Sequence, residues 1–192
     1  MPEPRPEVLD FLLTRRSRPA KTLTTPVPSD DRLKLLLTAA ARSPDHGALV
    51  PWRFVVLRDA ALDRLADAVA ARAVERGLEL ELVAKARAVF DKSALCVAVV
   101  AHPAATQKVP EVEQILSAGG VCLSLLNAAL ADGWGANWIT GWVAYDGDFL
   151  KKNMGLQADE FVAGFVHIGT ESVAPPDRPR PDIEAITDWV DQ

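Results

Sequence analysis

The amino-acid sequence predicts an α+β fold with an antiparallel or mixed sheet, and three observations carry that expectation. Helical periodicity opens the chain, strands then appear interspersed with helices without a regular strand–helix–strand alternation, and "ALCVAVVA" (residues 94–101) is apolar on both alternating sets. A strand of that last kind is covered on both faces. The chain has 192 residues, 49% of them hydrophobic and 24% charged, enough to bury a sizeable core as one domain. The expected organisation is a single domain over residues 1–192, with 171–192 as an extended C-terminal arm.

In order along the chain, "PEVLDFLLTRRS" sets Val8, Leu9, Leu12 and Leu13 at helical spacing and ends in Arg15, Arg16 and Arg18. Cations there meet the negative end of the helix dipole, so capping alone would account for part of the cluster. A loop with Pro19, Pro26 and Pro28 follows. Ser29 reads as an N-cap, with Asp30 and Asp31 in the first turn and Leu33, Leu36, Leu37 and Ala40 on one face; Pro44 stops that helix near Ser43. "RFVVL" is a strand. Leu62, Leu65, Ala66, Val69 and Ala73 mark a helix ending at Gly77, and a second helix over about 79–90 turns back on it. From Glu111 to Ala131 the spacing predicts a long helix, apolar nearly all round, with Gly119 and Gly120 at its centre. Each glycine costs about 1 kcal/mol against alanine inside a helix, which a close backbone approach by a neighbour would repay. "WGANWITGW" is a strand entering a loop, "GDFLKKNMG" a short helix, and "FVAGFVHIGT" a last core strand. The tail, with Pro175, Pro176, Pro179 and Pro181, is extended over a surface.

Composition narrows the function. The formal net charge of −5 gathers no phosphate backbone, which argues against a nucleic-acid partner. Charge is unevenly spread: residues 1–42 carry eight Lys or Arg against five acids, and residues 171–192 carry two against six. The basic end suits an anion and the acidic tail a solvated surface. Cys96 and Cys122 sit in apolar runs without C-x-x-C spacing, which fits a reducing compartment. No secretory signal and no run of about eighteen purely apolar residues is present, so the expected setting is cytoplasmic, with no membrane partner.

The candidate chemistry is sparse. His46, His102 and His167 show no metal-ligand spacing, so no metal site is assigned. Asp45 and His46 are adjacent without a G-x-S-x-G elbow, and Pro44-Asp45-His46-Gly47 reads equally as a turn in which Asp45 bonds its own backbone. Arg15, Arg16 and Ser17 offer forked donors and a hydroxyl suited to a terminal phosphate. There is neither a G-x-G-x-x-G turn nor a P-loop, so any nucleotide would be cradled by side chains.

Taken together, "RRS" after a short helix, "RSPDHGALVPW" after a second, "KVPEVEQILSAGG", and "WITG" before "GFVHIGT" resemble the nitroreductase family, and more closely its compact subfamily of small bacterial FMN-dependent NAD(P)H nitroreductases. The likeness runs from about residue 7 to 170. It implies a mostly antiparallel central sheet flanked by helices in an intertwined homodimer, with FMN held at the subunit interface and NADH or NADPH as electron donor. Residues 111–131 would form the dimer's central helix and the tail would wrap over the partner. By position, Arg15, Arg16 and Ser17 match the phosphate- and flavin-contacting segment, Arg42 and His46 match a pair that reaches FMN across the interface, and Trp138, Ile139 and Thr140 match the stretch along the isoalloxazine ring.

The resemblance further implies hydride transfer to the flavin and onward to a small acceptor, nitroaromatic or quinone, with ping-pong kinetics and no side chain in an obligate catalytic role. The chain departs from the family at Ala48 and Val50, where Asn and Gln are frequent, at Ile139, where a cation is, and at Val112, where an aromatic is. Two alternatives stand beside the reductase: an FMN-holding or flavin-modifying protein of the same fold, and a cofactor-free anion-binding dimer.

Overall fold

Every residue of β3 (Cys96–Ala101) is buried, because strands pair on both its edges and helices cover both its faces. The computed structural model describes residues 2–106 and 108–191. β2 (Trp52–Leu57) flanks β3 on one edge and β5 (Phe161–Glu171) on the other, while β4 (Gly135–Ile139) and the two-residue β1 (Leu23–Thr24) also pair with β5. All four pairings are antiparallel.

The period-2 rule sorts β3 into two cores. Val97, Val99 and Ala101 face α2 (Asp30–Ala40) and α5 (Glu111–Ala131), whereas Cys96, Ala98 and Val100 face α3 (Ala60–Glu75), α4 (Leu80–Asp91) and α6 (Gly147–Met154). Along β5 the alternation changes phase: Phe161 and Ala163 lie on the α5 side, then Val166 and Ile168 do. A bulge causes it, since Val99 pairs with Gly164 but Val100 with Val162, leaving Ala163 as the extra residue.

Local signals end the helices where the sequence places them. Ser29 Oγ accepts the Arg32 N–H at 3.3 Å, and Asp146 accepts the Phe149 N–H at 3.0 Å to start α6. Gly155, at φ 68°, closes α6 in the left-handed conformation that favours glycine. Elsewhere the structure departs from expectation. α1 (Pro6–Thr14) buries none of its residues, and Val8, Leu9, Leu12 and Leu13 are 49 to 72% exposed. β1 arises inside the segment read as a loop, since a two-residue strand has no periodicity of its own to detect. Among the described residues nothing lies within 4 Å of where a Cβ would stand on Gly119, and on Gly120 it would meet only Ser43 at 3.8 Å, so these residues do not make the close backbone approach expected there.

By length and composition α5 is also apolar enough to cross a membrane. It packs along the sheet and α2, with Ala118, Val121, Cys122, Leu125, Leu126 and Ala129 buried, and works as a core helix.

Candidate functional site

The backbone turns extended at Arg15 (ψ 146°), which aims the following basic residues away from the α1 carbonyls and across to β4. There the Arg18 N–H donates to the Ala136 carbonyl at 2.8 Å. Arg15 Nη2 donates to Ser17 Oγ at 3.0 Å, while Arg15 Nε is buried without a partner. Arg16 donates to the Pro176 carbonyl at 2.8 Å and stands 3.6 Å from Asp177; Arg18 pairs with Glu171 at 2.7 Å. Burial, and then repulsion from Arg180, Arg16 and Arg18, lowers the pKa of Arg15. The cluster is therefore not a helix cap. It is a part-buried concentration of guanidinium groups holding an unsatisfied donor, the chemistry that a phosphate dianion satisfies.

Arg18, named in the basic run but given no ligand role there, and Arg180, which the sequence reading passed over, are further members of this cluster. Arg180 lies 165 residues from Arg15 in a stretch that reads as acidic, and its only signal was being one of two cations among six acids.

Arg42 and His46 lie elsewhere. Arg42 is exposed in the turn after α2, and His46 Nδ1 is 2.6 Å from Glu113 Oε2, near the start of α5. Asp45 Oδ2 accepts the Val50 N–H at 2.7 Å, as the turn reading expected. Ser117 Oγ donates to the Pro44 carbonyl, and Pro44, His46, Leu116, Ser117 and Gly120 line an open cleft of about 430 Å³. This loop is strained. Gly47 (φ 77°), Ala48 (φ 52°) and Val50 (φ 49°) all occupy the left-handed region, which is costly for alanine and more so for β-branched valine.

Arg15 to Ser17 lie toward the C-terminal end of α5 and His46 toward its start, while Arg42 lies near its middle, since Ser43 Oγ is 3.0 Å from Ser124 Oγ. Phe11 and Leu12 of α1 share a groove with Asn127, Ala128 and Ala131, whereas His46 meets Glu113. At 1.5 Å rise per residue, Glu113 and Ala131 are about 27 Å apart along the axis. Arg15, Arg16 and Ser17 are thus brought beside β4, and Arg42 and His46 are not brought to them.

Of the third group, Trp138 turns inward. Its indole lies over Gly164, where any side chain would collide with the ring, and its Nε1–H donates to the Ala163 carbonyl at 3.3 Å. Ile139 packs into the α3–α4–α6 core and Thr140 lines a cavity beside α4. What these residues offer a ligand is main chain. Because the Ala136 carbonyl points away from β5 to Arg18, strand alternation turns the Trp138 N–H and C=O toward the same open edge.

Comparison with known proteins agrees with this architecture. Residues 12–170 match the Nitroreductase family. A Haemophilus influenzae protein provisionally designated an NAD(P)H nitroreductase is 37% identical over 166 residues, covering 85% of this chain and 88% of that one. YdjA of Escherichia coli K12, designated in the same way, is 30% identical over 164 residues with the same coverage. Among solved structures, a nitroreductase-like family protein from Bacillus cereus superposes with a TM-score of 0.80 at 22% identity over the whole of both chains. A Desulfovibrio desulfuricans structure in complex with FMN gives 0.75 at 22% identity, covering 98% of this chain and 99% of that one. These last two show the fold.

Proposed function

Since the chain belongs to the nitroreductase family, we propose that it is an FMN-dependent oxidoreductase that takes reducing equivalents from NADH or NADPH and passes them to a small nitroaromatic or quinone acceptor. The observation that carries this reading is the buried, unpartnered Nε of Arg15 within a cluster of four arginines. Asp177 and Glu171 pair with Arg16 and Arg18 and leave Arg15 Nε without an acceptor, which a phosphate oxygen would supply. In this reading Arg15, Arg16 and Ser17 hold the FMN phosphate, Arg18 and Arg180 add to the field around it, and the open edge of β4 at Trp138, Ile139 and Thr140 lies along the ring system. When bound, FMN supplies reversible hydride chemistry, so donor and acceptor use one place in turn and the kinetics are ping-pong.

The role of the protein is to bind, orient and polarise. With FMN bound, a backbone N–H on the β4 edge or the Thr140 hydroxyl would stabilise negative charge on the ring system. Arg42 and His46 contribute from a second subunit. About 27 Å along α5 separates the His46–Glu113 pair from the end beside α1, beyond the reach of one FMN, so Arg15 and His46 of one chain do not serve a single cofactor. A homodimer that crosses along α5 supplies both, and it also gives Gly119 and Gly120 the close neighbour they lack among the described residues. The working assembly is accordingly a homodimer with FMN at its interface.

The test is a visible absorbance scan after FMN loading and desalting, followed by anaerobic NADH and then NADPH. Retained colour that bleaches with either nucleotide supports the reductase, and retained colour that does not bleach indicates a flavin-holding or flavin-modifying protein. Loss of colour overturns the FMN assignment. Arg15→Ala is expected to weaken FMN binding by about 1.5–3 kcal/mol, the worth of a hydrogen bond to a charged group. Unchanged affinity on titration would remove Arg15 from the site.

A further inference from the structure

We propose that the cavity between α4 and the loop after β4 is the acceptor site, and that it selects an aromatic acceptor carrying an anionic substituent such as a carboxylate. The inference rests on the assignment of residues 138–140 to the flavin and extends it to the substrate class.

The cavity measures about 350 Å³, within the usual range for small-ligand pockets. Its wall is apolar, built from Leu78, Leu82, Ala86, Val89 and the Trp142 ring, and it opens onto Thr140 and Gly141, next to the β4 edge. Gly141, at φ 71°, turns the chain out of β4 there, a conformation that side chains resist. The cavity is therefore continuous with the stretch assigned to the isoalloxazine ring. An aromatic body fits the apolar slot, with Trp142 as its flat surface.

Among the described residues, the charged side chains that line the cavity are Arg76 and Lys85. Arg76 stacks over Trp142 with its guanidinium carbon 4.7 Å from the ring centroid. Its Nη1 stands 3.5 Å from Asp146, but that carboxylate already accepts two hydrogen bonds from Arg72, at 2.8 and 3.2 Å. With five donors in a fixed fork, Arg76 keeps donors for a further anion while stacking holds its plane. Lys85 pairs with Glu81 at 2.7 Å, and both side chains are more than two-thirds exposed. An exposed pair of that kind contributes little and exchanges readily. An apolar slot with a cationic rim therefore favours a planar apolar molecule bearing one negative charge, held at the rim while its reducible group points to the β4 edge.

The reaction balances without a further reagent. A quinone, NAD(P)H and one proton give the hydroquinone and NAD(P)+. A nitroarene, NAD(P)H and one proton give the nitroso compound, water and NAD(P)+. The anionic substituent is unchanged in both.

The experiment compares 4-nitrobenzoate with its neutral isostere 4-nitrobenzamide. Tryptophan quenching on titration of the FMN-loaded protein is expected to show the acid bound at least tenfold more tightly. The double variant Arg76→Gln/Lys85→Gln should reduce that preference to less than threefold, the acid-to-amide ratio of kcat/KM should fall with it, and Trp142→Phe should remove most of the quenching. Equal affinity for the two compounds overturns the proposal, as does a preference that survives in the double variant. If the acid is preferred but the flavin does not bleach with nicotinamide, the reductase reading fails and the site stands. If the amide is turned over and the acid is not preferred, the reductase stands and this inference fails.

Discussion

The two faces of the sheet are finished to different degrees. On the α3–α4–α6 side, Leu65, Phe90 and Phe165 are fully buried, Phe90 meets Phe165 edge to face at 5.2 Å, and even His167 is sealed in. On the α5 side the inner helix surface is buried, but Val112, Leu116 and Leu123 on the outer surface are 44 to 69% exposed, and α1 beside it buries nothing. Both candidate flavin-contact clusters, Arg15 to Ser17 and Arg42 with His46, lie along this second face. The closed face supplies stability from one chain, whereas the open face carries apolar surface and strained loops that one chain leaves unsatisfied. In the proposed homodimer a second subunit would complete it.

Breaking the open face should produce the largest effect. Leu116→Glu places a carboxylate at the lip of the cleft beside His46, and two-fold symmetry would bury it twice. A buried unpaired charge costs about 3–5 kcal/mol, so the variant is expected to sediment as a monomer and release FMN, while its far-UV circular dichroism is kept because Leu116 is 69% exposed within the subunit. A variant that stays dimeric and yellow would show that the outer face of α5 is not the interface.

The closed face should yield to acid. Burial pushes the pKa of His167 from 6.5 down to about 4, and Ser93 Oγ lies 2.8 Å from its Nδ1. The unfolded chain takes up the proton first as pH falls. Stability is thus complete above about pH 6.5, declines between 6.5 and 4, and levels off below, for a total loss of about 3 kcal/mol. His167→Gln removes that titration. Urea unfolding at intervals from pH 7 to 4.5 is expected to show the decline in the wild type and a flatter profile in the variant; parallel profiles would place the acid sensitivity elsewhere. Glu160, held at about 2 chiefly by its hydrogen bonds from Arg53, loses its own contribution from about pH 4.5 downward, so the His167 decline is read above that pH.

The same contrast explains what the sequence disclosed. The closed face was legible because burial writes periodicity: Leu62, Leu65, Ala66, Val69 and Ala73 mark α3, and the unbroken apolar run of β3 announces cover on both sides. Ser29 and Gly155 mark helix ends by local chemistry alone. The open face was legible only by resemblance, because its contacts are made across distance. Arg180 reaches the Arg15 cluster from a tail whose composition reads as acidic. The inward turn of Trp138 depends on the absence of a side chain at Gly164, 26 residues later, and no spacing rule connects the two. Helical spacing found α1 but not the exposure of its apolar residues, since the pattern is the same whether the covering surface belongs to its own chain or to another.

The smallest expected effect is the most direct probe of the strained loop on the open face. Ala48 stands at φ 52°, where the broader family often has asparagine, a residue that tolerates this conformation because its short polar side chain bonds locally. Ala48→Asn should stabilise the protein by about 0.5–1 kcal/mol through relief of backbone strain. If residue 48 also faces the pyrimidine side of the flavin, the new amide gives it a hydrogen-bonding partner, and FMN affinity should rise several-fold, consistent with about 1 kcal/mol per neutral hydrogen bond. Both gains are expected, the first in thermal unfolding of the apoprotein and the second in flavin titration. A gain in stability alone would mean that the loop bears its strain for folding reasons and that His46 reaches the cofactor without help from position 48. A loss of flavin affinity would mean that the small side chain is required for the ring to fit, and that the departure from the family at this position has reshaped the pocket.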